Sequence, residues 1–359
     1  MSNLQPAPWR AVFFNDAELS LRVEDRPMVL IPEDKHTTTA AIYKHYEDQA
    51  RATPPRGYLG PSVLGHECDR ALWYGFRWAA ASEDFSGRKL RLFETGHREE
   101  KRVIENLRAI GMDVTGEQAV MVALGGHFRA HMDGIINSGV IEAPKSPHVL
   151  EVKTHNEKSY ASLFKSGVKK SKPGHYAQMQ LYMLHAKIER ALYVAVNKND
   201  DSIYTERVRF DKTYAENLMI RARRIIEAST APTKLHSDPD AREAYICGWC
   251  AFKGICHENV FAYRNCRTCL HATPLIDGGD SDNSGTWHCG RFNKSLTRKE
   301  QEAGCHRHLY LPSLVPGEQT DATTDVDDAD MPTVATVTYV LKIDGEEWID
   351  GFPTQGLST

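Results

Sequence analysis

Eight cysteines constrain this chain before any other feature does. They stand at Cys68, Cys247, Cys250, Cys256, Cys266, Cys269, Cys289 and Cys305. Where thiols are kept reduced, clustered cysteines serve as metal ligands more often than as disulfides. The first four and the last four each make a complete set of four. In the first set Cys247-x2-Cys250-x5-Cys256 supplies three thiolates, and a cuboidal iron–sulfur cluster commonly needs four. Cys68 is the fourth on offer, and joining it to the other three clasps together the two ends of whatever folds between them. Zinc also takes four thiolates and stands as the alternative. In the second set the knuckle Cys266-x2-Cys269 is completed by Cys289 and Cys305 as a tetrahedral Zn²⁺ site. His288, His306 and His308 adjoin the last two ligands, so a Cys₃His variant is open. Trp287 and Arg291 are candidates for a nucleic-acid or protein contact, beside the plainer reading of a structural staple.

The rest of the composition describes a soluble globular protein. Apolar residues make up 41% of the 359, enough for a real core. No stretch has the uninterrupted apolar length needed to span a bilayer. Met1 to Pro8 lacks the charged-then-apolar pattern of a secretory signal, so the expectation is a cytoplasmic protein. The net charge of −4 is unevenly spread. From Glu318 onward ten acidic residues face only Lys342, leaving −9 there and +5 on the preceding residues. A mildly basic body suits a polyanionic partner. The acidic run Asp321 to Asp330 reads as a solvated linker.

Periodicity organises the middle of the chain. Residues 1–57 hold short apolar runs at Val12–Phe14 and Met28–Ile31 and no clear period. A helix starts at Pro61-Ser62, with Leu64, Cys68, Leu72 and Phe76 on one face. A second runs from Leu90 to Ile110, with Phe93, Gly96, Val103, Leu107 and Ile110 as its stripe. Gln118–Leu124, Phe128–Ile136 and His148–Thr154 read as strands, with Gly125-Gly126 as a turn. A helix from Gly174 to Arg190, a strand Ala191–Val196, a turn, a strand Ile203–Phe210 and a helix Lys212–Thr230 follow. Arg221, Arg223 and Arg224 form a basic cluster on that last helix. Helix, three strands, helix, strand predicts a small mixed sheet with a helix on each side. Residues 261–315 are short and cysteine-bearing, as in a metal-stapled module. Residues 316–359 are an acidic linker ending in a strand at Val334–Ile343.

Four polar features punctuate this pattern. Glu100 lies on the apolar stripe of its helix, where a carboxylate needs a partner: a metal or a buried arginine. Asp133 interrupts a strand just before a glycine. Glu151 and Lys153 share one face of a strand, with Val152 on the other. Gln178 and Tyr182 stack one helical turn apart. Singly, each has an ordinary structural explanation. Lys165, Lys169, Lys170 and Lys172 then form either a solvated loop or a phosphate-tracking run.

In this order, Gly96-x3-Glu100, Asp133, Glu151-x-Lys153 and Gln178-x3-Tyr182 resemble the PD-(D/E)XK nuclease superfamily, in particular its RecB-like branch. The resemblance covers roughly residues 60 to 260. It implies an α/β fold with a restriction-endonuclease-like αβββαβ core and a small C-terminal metal-binding module. The expected organisation is an extension (1–57), a nuclease domain (58–260), a zinc module (261–315) and the tail (316–359). The implied activity is a deoxyribonuclease, an exonuclease on DNA ends or single strands in recombination, repair, replication or defence, of phage or mobile-element origin. A non-catalytic DNA-binding or scaffolding module of the same fold is the alternative. Glu100, Asp133 and Glu151 would hold Mg²⁺ or Mn²⁺, hard ions that prefer oxygen ligands. Many RecB-like members have histidine where this chain has Glu100, which makes His97 a second candidate. Lys153 would orient water or stabilise developing charge, with Gln178 and Tyr182 supporting it and the DNA backbone. One cysteine before the nuclease motifs and three after them also resemble the iron–sulfur nucleases of the AddB type and of CRISPR adaptation. That layout favours a structural 4Fe–4S cluster on Cys68, Cys247, Cys250 and Cys256. DNA is the implied partner, with a further protein in a recombination or replication complex.

Overall fold

A computed structural model describes residues 36–81, 85–277, 285–326 and 332–351. The apolar runs at Val12–Phe14 and Met28–Ile31 lie outside the described residues. Two compact units are distinguished, 1–42 and 43–359, and of the first only the start of helix α1 (Thr37–Arg51) is described. No period predicted α1, and none of its residues is buried. Its second half is held by polar contacts instead: Tyr46 donates to Glu94, and Glu47 accepts the Gly87 N–H at 2.7 Å.

The one helix expected from Pro61 to Phe76 is two, α2 (Pro61–Leu64) and α3 (Asp69–Phe76). Between them Gly65 passes so close to the backbone of Gly174 that a Cβ would stand 2.5 Å from its Cα. Cys68 then caps α3, its Sγ accepting the Ala71 N–H at 3.4 Å. Helix α4 (Gly87–Ala109) is capped by Ser86. Of its expected stripe only Val103 is buried, joined by Ile104. Phe93 and Ile110 are 43% and 61% exposed.

Strands β1 (Val114–Thr115), β2 (Ala119–Ala123), β3 (Phe128–Met132), β4 (Gly134–Ile136) and β5 (His148–His155) follow. The strand expected over Phe128–Ile136 breaks at Asp133. One half pairs with β2 in a separate hairpin, and the other pairs with β1 and β5. Helices α5 (Glu157–Ser171) and α6 (Pro173–Ala186) lead to β6 (Arg190–Asn197) and β7 (Ile203–Arg209). The sheet order is β1–β4–β5–β6–β7, parallel between β5 and β6 and antiparallel elsewhere.

Side chains alternate across this sheet as strand geometry requires. Leu150, Val152, Leu192, Val194 and Val196 form one core with Val103 and Ile104 of α4. Val149, Ala191, Tyr193 and Ala195 belong to the larger core with α3 and α6. The mixed α/β architecture expected from the order of elements is therefore present.

The expected lysine loop is α5, interrupted at Gly167, whose φ of +66° only glycine adopts freely. Lys169 lies near Asp211 and over the Tyr176 ring, and Lys172 donates to Ser162. In α6 every side chain from Tyr176 to Met183 is buried, the mark of a helix enclosed on all sides. Helix α7 (Lys212–Glu227) directs Arg221 and Arg224 onto Asp69 at 2.6 and 2.5 Å. Arg221 also donates to the carbonyls of Leu64 and His66, so this basic pair braces the turn before α3.

The short helices α8 (Tyr245–Gly248) and α9 (Lys253–His257) carry Cys247 and Cys256. Strands β8 (Ala272–Leu275), β9 (Thr286–Cys289) and β10 (Lys294–Leu296) make a small sheet followed by α10 (Arg298–Ala303). The 261–315 segment packs into the larger core rather than beside it, through Trp287, Leu296, Leu309 and Tyr310. Trp287 is fully buried, its ring 5.4 Å from that of Phe76, and Arg291 is 8% exposed and donates to the Val334 carbonyl. Of the two readings open for this pair, a partner contact or a structural staple, their burial favours the staple. Strands β11 (Gly317–Val326), β12 (Pro332–Leu341) and β13 (Glu347–Asp350) form a last antiparallel sheet. The acidic stretch expected as a linker is thus strand as far as Val326, and residues 327–330 lie outside the described residues. The strand expected at Val334–Ile343 is β12, anchored by buried Val337 and Tyr339. Among the described residues no helix is long and apolar enough to cross a membrane.

Candidate active site

The break at Asp133 creates the site. Leaving the sheet between β3 and β4, Asp133 turns its carboxylate to β5, where Oδ2 accepts the Val152 N–H at 2.8 Å. Alternation along β5 sends Glu151 and Lys153 to the face opposite Val152. Lys153 Nζ then stands between two carboxylates, 3.8 Å from Asp133 Oδ2 and ion-paired with Glu151 Oε1. Glu151 is fully buried, its Oε1 meets the Lys153 ammonium, and its Oε2 has no hydrogen-bond partner among the described residues. Glu100 reaches the group from α4, half-buried, with Oε1 accepting from Gln118 Nε2 at 2.8 Å. Of the two partners considered for it, a metal or an arginine, no arginine is found among the described residues. His97 lines a neighbouring cleft of about 1620 Å³ and lies near enough to Glu100 to act on its charge.

The electrostatics express crowding. Burial pushes the Glu151 carboxyl up to about 8; Lys153 opposes the shift and Asp133 adds to it. Burial and the charge of Asp133 also raise Glu100. Burial pulls Lys153 down, but Glu151, Asp133 and Glu100 together carry it above its ordinary value, so it stays an ammonium.

Gln178 Nε2 donates to the Tyr182 hydroxyl at 2.9 Å, and that hydroxyl donates to the His131 carbonyl at 2.7 Å. The pair fastens α6 to the strand that delivers Asp133. Tyr182→Phe unfastens it without opening a cavity. We expect nuclease activity to fall about 10-fold, with a loss of about 1 kcal/mol of stability in urea; unchanged turnover would remove this pair from the site.

Three residues escaped the sequence reading. His155 lies on the Glu151–Lys153 face two residues further on, a position that strand periodicity alone marks. His155 Nε2 and His175 Nδ1 both meet the Tyr193 hydroxyl at 2.8 Å, and His155 Nδ1 meets Ser159 Oγ at 2.9 Å. That hydroxyl donates to one imidazole and accepts from the other. Burial, reinforced by nearby lysines, holds His155 down at about 4 and His175 at about 3, so both are neutral at pH 7. Tyr193 is the register partner of Glu151 on β6, a pairing that no local pattern announces.

All eight cysteines are free thiols. Cys68, Cys247, Cys250 and Cys256 line one cavity. Cys266 and Cys269 lie within electrostatic reach of Cys289 and Cys305. Burial, then these neighbours, pushes the Cys266 thiol up to about 12; Cys269 reaches about 11 for the same leading cause. Among the described residues, no three His, Cys, Asp or Glu side chains are drawn in closely enough to enclose an ion.

The family model for the PD-(D/E)XK nuclease superfamily matches residues 36–257, beginning earlier than the motifs suggest and taking in α1. The chain belongs to that superfamily. No curated protein matches it. Among solved structures, that of SSO0001 is similar at 15% identity and a TM-score of 0.37, covering 62% of this chain and 98% of that one. LHK-Exo, an alkaline exonuclease from Laribacter hongkongensis, is similar at 14% identity and a TM-score of 0.35, over 51% of this chain and 90% of that one. Its complex with dAMP gives 14% and 0.34, over 52% and 90%. At such scores these likenesses carry no argument about this chain.

Proposed function

We propose that this protein is a Mg²⁺- or Mn²⁺-dependent deoxyribonuclease of the RecB-like branch, working as an exonuclease on DNA ends or single strands in the cytosol. The observation that carries the reading is the buried Glu151 carboxylate. Its Oε2 has no hydrogen-bond partner among the described residues, its Oε1 shares the Lys153 cation with Asp133, and Glu100 is near. Buried carboxylates of this kind are stable only with positive charge among them. The Lys153 ammonium supplies part of that charge, and the donor set is one that hard divalent ions prefer. Glu100, Asp133 and Glu151 would hold the ion. When bound, it would neutralise phosphate charge and lower the pKa of its water.

The chain's own residues supply the rest. Lys153 is protonated, so it donates: it orients the attacking water or steadies the charge building on the phosphate oxygens, and does not act as the base. Gln178 and Tyr182 hold the strand carrying Asp133 against α6. The cleft of about 1620 Å³ past His97 offers the DNA an approach. Asp133→Ala and Lys153→Ala should each lower Mn²⁺-dependent digestion of labelled DNA about 10³-fold. If both variants digest DNA at the wild-type rate, the site is misassigned; binding without cleavage by the wild type favours a scaffolding role.

The same proposal assigns a 4Fe–4S cluster to Cys68, Cys247, Cys250 and Cys256, and Zn²⁺ to Cys266, Cys269, Cys289 and Cys305. Support comes from the way the fold gathers these thiols into two sets. Burial raises the thiols of Cys247, Cys250, Cys256, Cys266 and Cys269, and ligation would release their protons. Anaerobically purified protein should be brown and contain iron, and Cys256→Ser should be colourless. Colourless wild-type protein with two zinc ions per chain would overturn the cluster.

A further inference from the structure

A groove of about 590 Å³ separates the α2–α3 region from the loop joining α8 to α9. Its floor is apolar, with Leu59, Leu72 and Phe76 all buried. Its walls are aromatic. Trp249 is 92% exposed, the most exposed large apolar side chain among the described residues, and it lines the groove together with Tyr58. Arg56 stands at one end with its guanidinium 5.3 Å from the Tyr58 ring, and His66 lines the wall.

The groove is linked to the neighbourhood of the candidate active site by one shared residue. Arg56 also lines the cleft that holds His97, and its charge reaches the Tyr182 hydroxyl. Gly174, in the first turn of the helix carrying Gln178 and Tyr182, forms part of the groove wall. The exposed indole extends the apolar lining of the groove, and contiguous apolar surface of this kind marks ligand-binding grooves. The lining names the ligand: flat rings for flat faces, and a guanidinium for an anionic backbone. Single-stranded nucleic acid carries both features, and aromatic stacking tolerates every base. Paired bases keep their faces stacked on each other and leave an indole nothing to stack on.

We propose that this groove binds the single-stranded segment of the DNA next to the scissile phosphate, with unpaired bases stacked on Trp249 and Tyr58 and the backbone held by Arg56. The proposal rests on the nuclease reading and narrows its substrate to DNA that is single-stranded beside the cut.

The test is binding by the full-length protein to a fluorescein-labelled oligo-dT in EDTA, where nothing is cut, followed by anisotropy. Trp249→Ala and Tyr58→Ala should each weaken binding about 10-fold, within the range measured for one base–aromatic stack. Trp249→Phe should bind within about 3-fold of wild type, because a ring is kept. Affinity for a blunt duplex should not change in any variant. Melting temperature and metal content, measured alongside, identify a variant that has lost its fold, and Tyr58 gives an independent reading away from the cysteine loop. Wild-type affinity for oligo-dT in both well-folded alanine variants overturns the proposal and leaves the groove to a protein partner. The nuclease reading is tested separately, by Mn²⁺-dependent cleavage in the Asp133 and Lys153 variants.

Discussion

Glu151→Gln is expected to abolish DNA cleavage and, in the same molecule, to raise the stability of the metal-free protein. The first effect follows from losing a charged oxygen at the centre of the site, and should amount to about 10³-fold. The second follows from burial. Glu151 is fully enclosed, and its carboxyl is pushed up from an ordinary 4.5 to about 8. A folded-state value above the unfolded one means that the native protein binds the proton more tightly. Stability is therefore greatest below pH 4.5 as far as this group is concerned. It falls as the pH rises toward about 8, and the cost at the upper end is on the order of a few kcal/mol. Glutamine keeps the shape and removes the titration. Thermal melts in EDTA at pH 6 and pH 8 should show a falling melting temperature for wild type and a flatter, higher one for the variant. Added Mn²⁺ should raise the wild-type value and leave the variant unmoved. Cleavage by wild type should climb between pH 6 and 8, as the proton yields its place on Glu151. A variant that melts below wild type at pH 8 contradicts this account of the site.

Arg267→Ala is expected to destabilise the fold by about 3–5 kcal/mol, although the residue lies far from any chemistry. Arg267 is fully buried in the 261–315 segment. Its guanidinium donates to the carbonyls of Gly57 at 2.8 Å and Phe76 at 3.1 Å, and to Gln301 at 3.0 Å. It lies 3.7 Å from the centre of the Trp78 ring and 5.0 Å from that of Trp287. Its own carbonyl accepts from Arg77, a second buried guanidinium, which also donates to Ala228. Burial drives Arg267 well below its usual range and Arg77 to about 10, the cost of enclosing two cations among carbonyls and rings. Alanine leaves two carbonyls unpaired and a void beneath two indoles. Lysine lacks the planar fork and should rescue little. Methionine fills the space without a charge to bury and should lose less than alanine. Urea midpoints order the three. An alanine variant within about 0.5 kcal/mol of wild type removes Arg267 as the fastening between the cysteine-rich segment and α3.

Much of the site was legible along the chain. Glu151 and Lys153 fall on one strand face by a period of two, and Gln178 meets Tyr182 by a helical turn. Other features were not legible. The carboxylate of Glu100 was placed on an apolar stripe, but much of that stripe is exposed, and its partner is Gln118 rather than an arginine. The lysines expected in a loop sit on α5, because residues 157–166 can pack Tyr160 and Leu163 into the core, which their composition does not announce. Of the two readings open for Trp287, a partner contact or part of a structural staple, burial excludes the first, because Phe76 and two guanidiniums enclose it.

By itself the sequence settled which chemical groups are available and which neighbours share a face, since strand and helix periods act over a few residues. Only the tertiary structure decided that Asp133 breaks its strand to bond across to Val152, that Tyr193 stands beside Glu151, and that the cysteine-rich segment merges with the larger core. Those outcomes depend on sheet register and on burial of groups distant in the chain, and such long-range contacts form only when the whole core closes around them.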